Sequence, residues 1–113
     1  MEPKEFDFEF PRGDTCPISF DLTDVDGNEL KQENMEITFT AKKNYNTTEI
    51  VIQKKISSEE IKLEGKKGYL LLNHNDTYNL NYGNYVYDIE VRSGDYYKTV
   101  AIGTFTLTNE STF

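Results

Sequence analysis

The chain has 113 residues, 36% of them apolar and 28% charged, with eight Tyr, seven Phe and no Trp. This length fits one domain, read as residues 1–113, which can bury roughly two-thirds of its unfolded surface and so needs neither a disulfide nor a structural metal. The formal charge of -8 repels phosphate backbones and anionic lipid surfaces, so neither nucleic acid nor membrane is expected as a partner.

The first ten residues are acidic and alternating. Phe6, Phe8 and Phe10 fall on one side and Asp7 and Glu9 on the other, a period-2 strand with three large apolar side chains on one face. That face marks Phe6, Phe8 and Phe10 as a candidate interface, because an edge strand can lie on its own sandwich or extend a neighbour's sheet. The segment has no continuous apolar h-region, so synthesis in the cytoplasm without export is expected. A second strand places Ile18, Phe20 and Leu22 opposite Ser19, Asp21 and Thr23. It ends at Asp24-Val25-Asp26-Gly27-Asn28, where Asp-Gly supplies the positive φ of a tight turn.

Ile37, Phe39 and Ala41 define a third strand, followed by shorter β-rich pieces at Glu49 to Lys54, Glu60 to Leu63 and Tyr69 to Leu72. The Asn-rich stretch Asn73 to Asn84 reads as a connection with one helical turn capped by Asn75 or Asp76. Tyr85, Tyr87, Ile89 and Val91 then give the longest clean alternation, closed by the turn Ser93-Gly94-Asp95. Beyond Tyr96 the apolar phase slips between Val100/Ile102 and Phe105/Leu107, which places a β-bulge at Gly103. Seven to nine short strands without longer helical periodicity make this an all-β protein, an immunoglobulin-like antiparallel β-sandwich. Its expected core includes Phe20, Leu22, Ile37, Phe39, Leu70, Leu72, Tyr87, Ile89, Val100 and Phe105.

The chemistry-bearing residues are sparse. One cysteine, Cys16, and one histidine, His74, cannot assemble the common metal sites or an internal disulfide. Asp24, Asp26, Asn28 and Glu29 are rich in oxygen but lack the calcium-loop spacing. His74 beside Asp76 lacks a nucleophile elbow or cysteine-protease signature to serve. Asp88 and Glu90 share the solvent face of a strand, without the deep cleft a glycosidase needs. Arg12-Gly13-Asp14 has the composition of an adhesion tripeptide but also of a plain Gly turn entering the second strand. No catalytic, cofactor or metal residue is therefore assigned, and no enzyme activity is expected.

Tyr85-Val86-Tyr87, opening a strand after a polar connection and Gly83, resembles the tyrosine corner of immunoglobulin-like sandwiches. The resemblance makes Tyr85 the corner residue and puts Tyr87 where antibody domains carry a cysteine. A broader resemblance rests on Phe10-Pro11-Arg12-Gly13-Asp14-Thr15, Asp24-Val25-Asp26-Gly27, Asp76-Thr77 ahead of Tyr85-Val86-Tyr87-Asp88-Ile89-Glu90-Val91, and Thr99-Val100-Ala101-Ile102-Gly103-Thr104-Phe105. In this order they resemble small immunoglobulin-like proteins of bacteriophage and prophage structural gene clusters, including the N-terminal domain type of baseplate upper proteins. The resemblance implies a non-enzymatic structural protein that associates with itself, as a homo-oligomer, or with other virion, tail or baseplate proteins. It also implies a virion location after assembly. The alternative is a soluble carbohydrate- or surface-binding module, in which Tyr45, Tyr78, Tyr82, Tyr96 and Tyr97 form a stacking platform.

Overall fold

The computed structural model describes residues 4–23, 27–28 and 35–109. Among them run β1 (Lys4–Glu5), β2 (Phe8–Pro11), β3 (Cys16–Asp21), β4 (Glu36–Lys42), β5 (Ile50–Lys55), β6 (Ile61–Glu64), β7 (Lys67–Leu72), α1 (His74–Thr77), β8 (Gly83–Ser93) and β9 (Tyr96–Thr108). The strands form two sheets. The larger has the order β1-β9-β8-β4-β5, with β2 also on β9, and the smaller has the order β3-β7-β6. The all-β sandwich expected from the alternation is the fold observed, and all ten expected core residues are buried. The turn expected at 24–28 and the oxygen-rich cluster around it lie mostly outside the described residues.

Each strand is placed by its apolar period. In β8 the odd residues Tyr85, Tyr87, Ile89 and Val91 are all buried while the even ones are only partly covered, as a sheet with one face on the core requires. In β4, Ile37, Phe39 and Ala41 are fully inaccessible. Burying such a Phe or Ile side chain contributes roughly 1.5–3 kcal/mol. The centre of the core is aromatic: Tyr85 stacks on Phe105 with centroids 5.3 Å apart, and Phe39 on Tyr87 at 5.5 Å.

The structure departs from the expected pattern in three places. Both N-terminal strands pair with β9 in parallel, Lys4 with Ala101 and Phe8 with Phe105, so the larger sheet is mixed and not purely antiparallel. The β9 bulge sits at Val100: Ile89 pairs with Ala101 and Glu90 with Thr99, so Val100 is the extra residue and is buried next to Ala101. Ile102 consequently turns outward and Gly103 inward. Finally, the N-cap of α1 is Asn73, whose backbone N–H donates to the Asp76 carboxylate at 2.6 Å.

Gly103 has a different role. A Cβ there would lie 1.9 Å from the Phe6 carbonyl oxygen. The missing side chain lets the N-terminal segment cross close to β9, where the ladder is interrupted between β1 and β2. Gly68 does the same for a ring: its cross-strand partner Phe20 lies over it, and a Cβ would come within 2.2 Å of the phenyl.

Candidate association surface

On the outer face of the three-stranded sheet, where a sandwich normally meets water with polar residues, Pro17, Tyr69 and Leu71 form an apolar patch among Ser19, Asp21, Lys62, Glu64 and Lys67. Tyr69 and Leu71 project outward from β7 and stay 40% and 43% exposed. Across the ladder, Pro17 is opposite Leu71 and Lys62 is opposite Tyr69. The sequence carries the signal in Tyr69-Leu70-Leu71-Leu72, an unbroken apolar run on a strand buried on one face only. A single stripe of polar residues at every second position would have kept the outer face wet.

A groove of about 480 Å³ opens beside this patch, lined by Tyr69, Leu71, Lys62, Glu59, Glu60 and Lys54 among others. Lys54 stands on β5 with its side chain almost wholly covered, and its Nζ meets Asp76 Oδ2 at 2.9 Å and Glu60 Oε2 at 3.7 Å. A buried ammonium is tolerable only when paired. Asp76 therefore ties the α1 turn to the edge of the larger sheet, a role its pairing with His74 in sequence did not suggest. Glu60 is anchored in turn by the Lys55 N–H at 3.2 Å.

His74 faces the other way. Its Nδ1 lies 2.8 Å from the Gly13 carbonyl, and its ring packs on Tyr78 with centroids 4.7 Å apart. The Gly13 N–H donates to the Thr77 hydroxyl at 2.8 Å, and the Arg12 guanidinium donates to the Leu80 carbonyl at 3.2 Å while lying over the Tyr82 ring. The Arg12-Gly13-Asp14 loop is thus a turn fastened to the β7–β8 connection, with Gly13 at φ 86°. It is not a free adhesive tip.

Of the candidate interface residues, Phe10 is buried and Phe8 half-buried, packed on Phe105 at 6.1 and 5.6 Å respectively. Phe6 is 56% exposed at the rim. The strand has docked on its own sheet, so two of the three phenyls are core side chains and only Phe6 reaches the surface. Tyr85 is buried and its hydroxyl donates to the Asn81 carbonyl, four residues upstream, at 2.7 Å. That is the hydrogen bond a corner tyrosine makes. Burial raises its phenol pKa, offset in part by that hydrogen bond and by Arg12. The Tyr87 hydroxyl donates to the Phe6 carbonyl, and burial, with Asp7 and Tyr45 adding to it, holds this phenol well above its ordinary range.

The tyrosines proposed as a stacking platform do not share a sheet face. Tyr45, Tyr78 and Tyr82 lie in connections, Tyr97 lies near the β8–β9 turn with Arg92 over its ring, and Tyr96 packs against the core. At the surface, Asp21 accepts hydrogen bonds from Lys4 and Lys67, which hold its carboxyl down to about 2. Asp88 is shifted the opposite way, raised by burial and then by Glu90, with Lys42 offsetting part. Burial likewise raises the Cys16 thiol, which leaves it a poorer nucleophile. Among the described residues no three His, Cys, Asp or Glu side chains converge as a metal site, and no helix is long and apolar enough to cross a membrane.

No family model and no curated protein matches the chain. Among solved structures it is similar to a family 123 glycoside hydrolase from Clostridium perfringens, studied for glycolipid glycan hydrolysis, at 13% identity and a TM-score of 0.43. The match covers 97% of this chain and 24% of the hydrolase, so the chain spans about a quarter of that protein's length.

Proposed function

We propose that the domain is a non-enzymatic association module that binds a second copy of itself or a neighbouring protein of a larger assembly. The phage virion, tail or baseplate setting is the one implied by its motifs. The observation that carries this reading is the outward apolar patch of Pro17, Tyr69 and Leu71 on the smaller sheet, flanked by paired charges. An apolar centre with a polar rim is the anatomy of a protein interface. Both exposed side chains stand on a regular strand, so neither has to be ordered on binding, which lowers the entropic cost.

One observation favours a second reading, a carbohydrate-binding module: the Tyr69 ring lines a groove together with Glu59, Glu60, Lys62 and Asn73, an aromatic platform beside hydrogen-bonding groups. The double variant Tyr69→Ser/Leu71→Ser separates the two. Sedimentation of the wild-type protein over a wide concentration range is expected to show a mass increase that the variant loses while keeping its thermal midpoint. Monomeric behaviour of both, combined with Tyr69-dependent binding on a glycan array, would transfer the assignment to the second reading.

A further inference from the structure

We infer that the groove along β9 is a receptor for the segment Lys4–Pro11 and accepts that segment from a second copy of the chain, so that the domain dimerises by exchanging its N-terminal strand. This deepens the association reading and rests on it, but uses a different part of the molecule from the Tyr69 patch.

The receptor is built for this segment. The Phe6 N–H donates to the Ile102 carbonyl at 3.0 Å, and the Thr104 N–H is taken by the Asp7 carboxylate at 2.9 Å in place of a backbone carbonyl. The Phe6 carbonyl is turned inward over Gly103 and gripped by the Tyr87 hydroxyl. Phe8 then enters between Tyr87 and Phe105, with centroids 5.5 and 5.6 Å away. An inward carbonyl over a glycine, followed by a carboxylate on a backbone donor and then a seated phenyl, recognises Asp7-Phe8 by side chain and Phe6 by its backbone. A generic β-edge reads only backbone.

The segment is also detachable. It lies at the edge of its sheet, paired with β9 alone, and the ladder is broken between β1 and β2. A single short loop, Arg12 to Thr15, joins it to the other sheet. The Arg12 N–H donates to the Thr108 carbonyl on β9 at 3.1 Å, so Arg12 moves with the segment, while Gly13 is pinned to Thr77 and His74, so the start of β3 stays with its own body and the hinge falls between Arg12 and Gly13. Exchange preserves the contacts of the segment with β9 but breaks the hydrogen bond from the Asp14 N–H to the Pro11 carbonyl at 3.1 Å, which spans the hinge, and the open and closed forms otherwise differ only in this hinge and in the entropy of association. Protein concentration then decides between them. A short hinge that must turn directly from one sheet to the other favours the opened form.

The test uses two full-length chains, each Cys16→Ser, one carrying Glu9→Cys and an affinity tag, the other carrying Thr106→Cys. Positions 9 and 106 are Cα partners in the β2–β9 ladder. The chains are unfolded together, refolded at high concentration, oxidised and captured by the tag. The expected result is a covalent heterodimer in severalfold excess over an out-of-register control pairing Glu9→Cys with Thr99→Cys. A second measurement avoids sulfur chemistry: the wild-type protein refolded at high concentration is expected to contain a slowly dissociating dimer by light scattering, and Gly103→Ala, which fills the seat of Phe6, is expected to lose it. A heterodimer no more abundant than the control, or an all-monomer wild type after refolding, overturns strand exchange. A dimer that survives Gly103→Ala but is lost in Tyr69→Ser/Leu71→Ser overturns it too, while leaving the association reading standing.

Discussion

Lys54 shows how one charged side chain can join two parts of the fold. Its ammonium is nearly inaccessible and faces Asp76 at 2.9 Å, whereas Asp76 keeps 20% of its side chain in water. Neutralising the Asp76 carboxylate leaves a buried cation with only the more distant Glu60 at 3.7 Å, while neutralising the cation leaves a carboxylate that water and the Asn73 N–H still solvate. Asp76→Asn should therefore cost about 2 kcal/mol, and Lys54→Met clearly less. Urea midpoints of the two variants measure the asymmetry, and equal losses would mean that the pair acts as an ordinary surface bridge. Two other carboxylates should act on stability with opposite signs. Asp88 has a raised pKa in the folded state, so its ionisation opposes folding at neutral pH and the opposition fades as pH falls and it protonates. Asp21 has a lowered one, so its contribution is present above pH 3.8 and is lost as pH falls towards about 2. Its partners are exposed, which keeps that contribution small. Asp88→Asn is expected to raise the thermal midpoint at pH 7 and lose this advantage in mild acid, while Asp21→Asn is expected to lower the midpoint slightly above pH 4 and to match the wild type near pH 2.

At the scale of the element, what the sequence made legible follows from what the period encodes. Alternation fixes which residues face the core, and so β3, β4 and β8 and all ten expected core residues could be read from it. Period 2 carries no information on strand direction. The parallel docking of β1 and β2 on β9 follows from the inward Phe6 carbonyl over Gly103 and the Asp7 carboxylate on the Thr104 N–H, contacts between residues nearly a hundred positions apart. The bulge shows the same limit. Glycine is the usual mark of an irregular strand, so Gly103 drew the assignment, yet the glycine there makes room for a crossing backbone and the extra residue is Val100. The Tyr69 patch was available in the run Tyr69 to Leu72. It was missed because an apolar run reads first as a buried strand, and only the open outer face of the three-stranded sheet shows otherwise.

The whole molecule adds a constraint that no single surface shows. The domain measures 47 × 29 × 24 Å and carries a formal charge of -8. Two copies packed side by side place their centres about 25 Å apart, where the unscreened repulsion of the net charges in water is roughly 10 kcal/mol. That is comparable to the whole free energy of a micromolar to nanomolar complex, about 8 to 12 kcal/mol, so self-association has to wait for screening. The Debye length falls from about 30 Å at 0.01 M salt to about 10 Å at 0.1 M. Over that interval most of the repulsion disappears, and beyond it little remains to be screened. Self-association, through the Tyr69 face or through strand exchange, is therefore expected to strengthen steeply from about 0.01 to 0.1 M salt and then level off. A basic partner protein gives the opposite slope, because salt weakens attraction between unlike charges. Sedimentation equilibrium across that salt series reads the sign directly: a mass that rises with salt assigns the surfaces to copies of this chain, and a mass that falls with salt excludes self-association driven by burial of apolar faces.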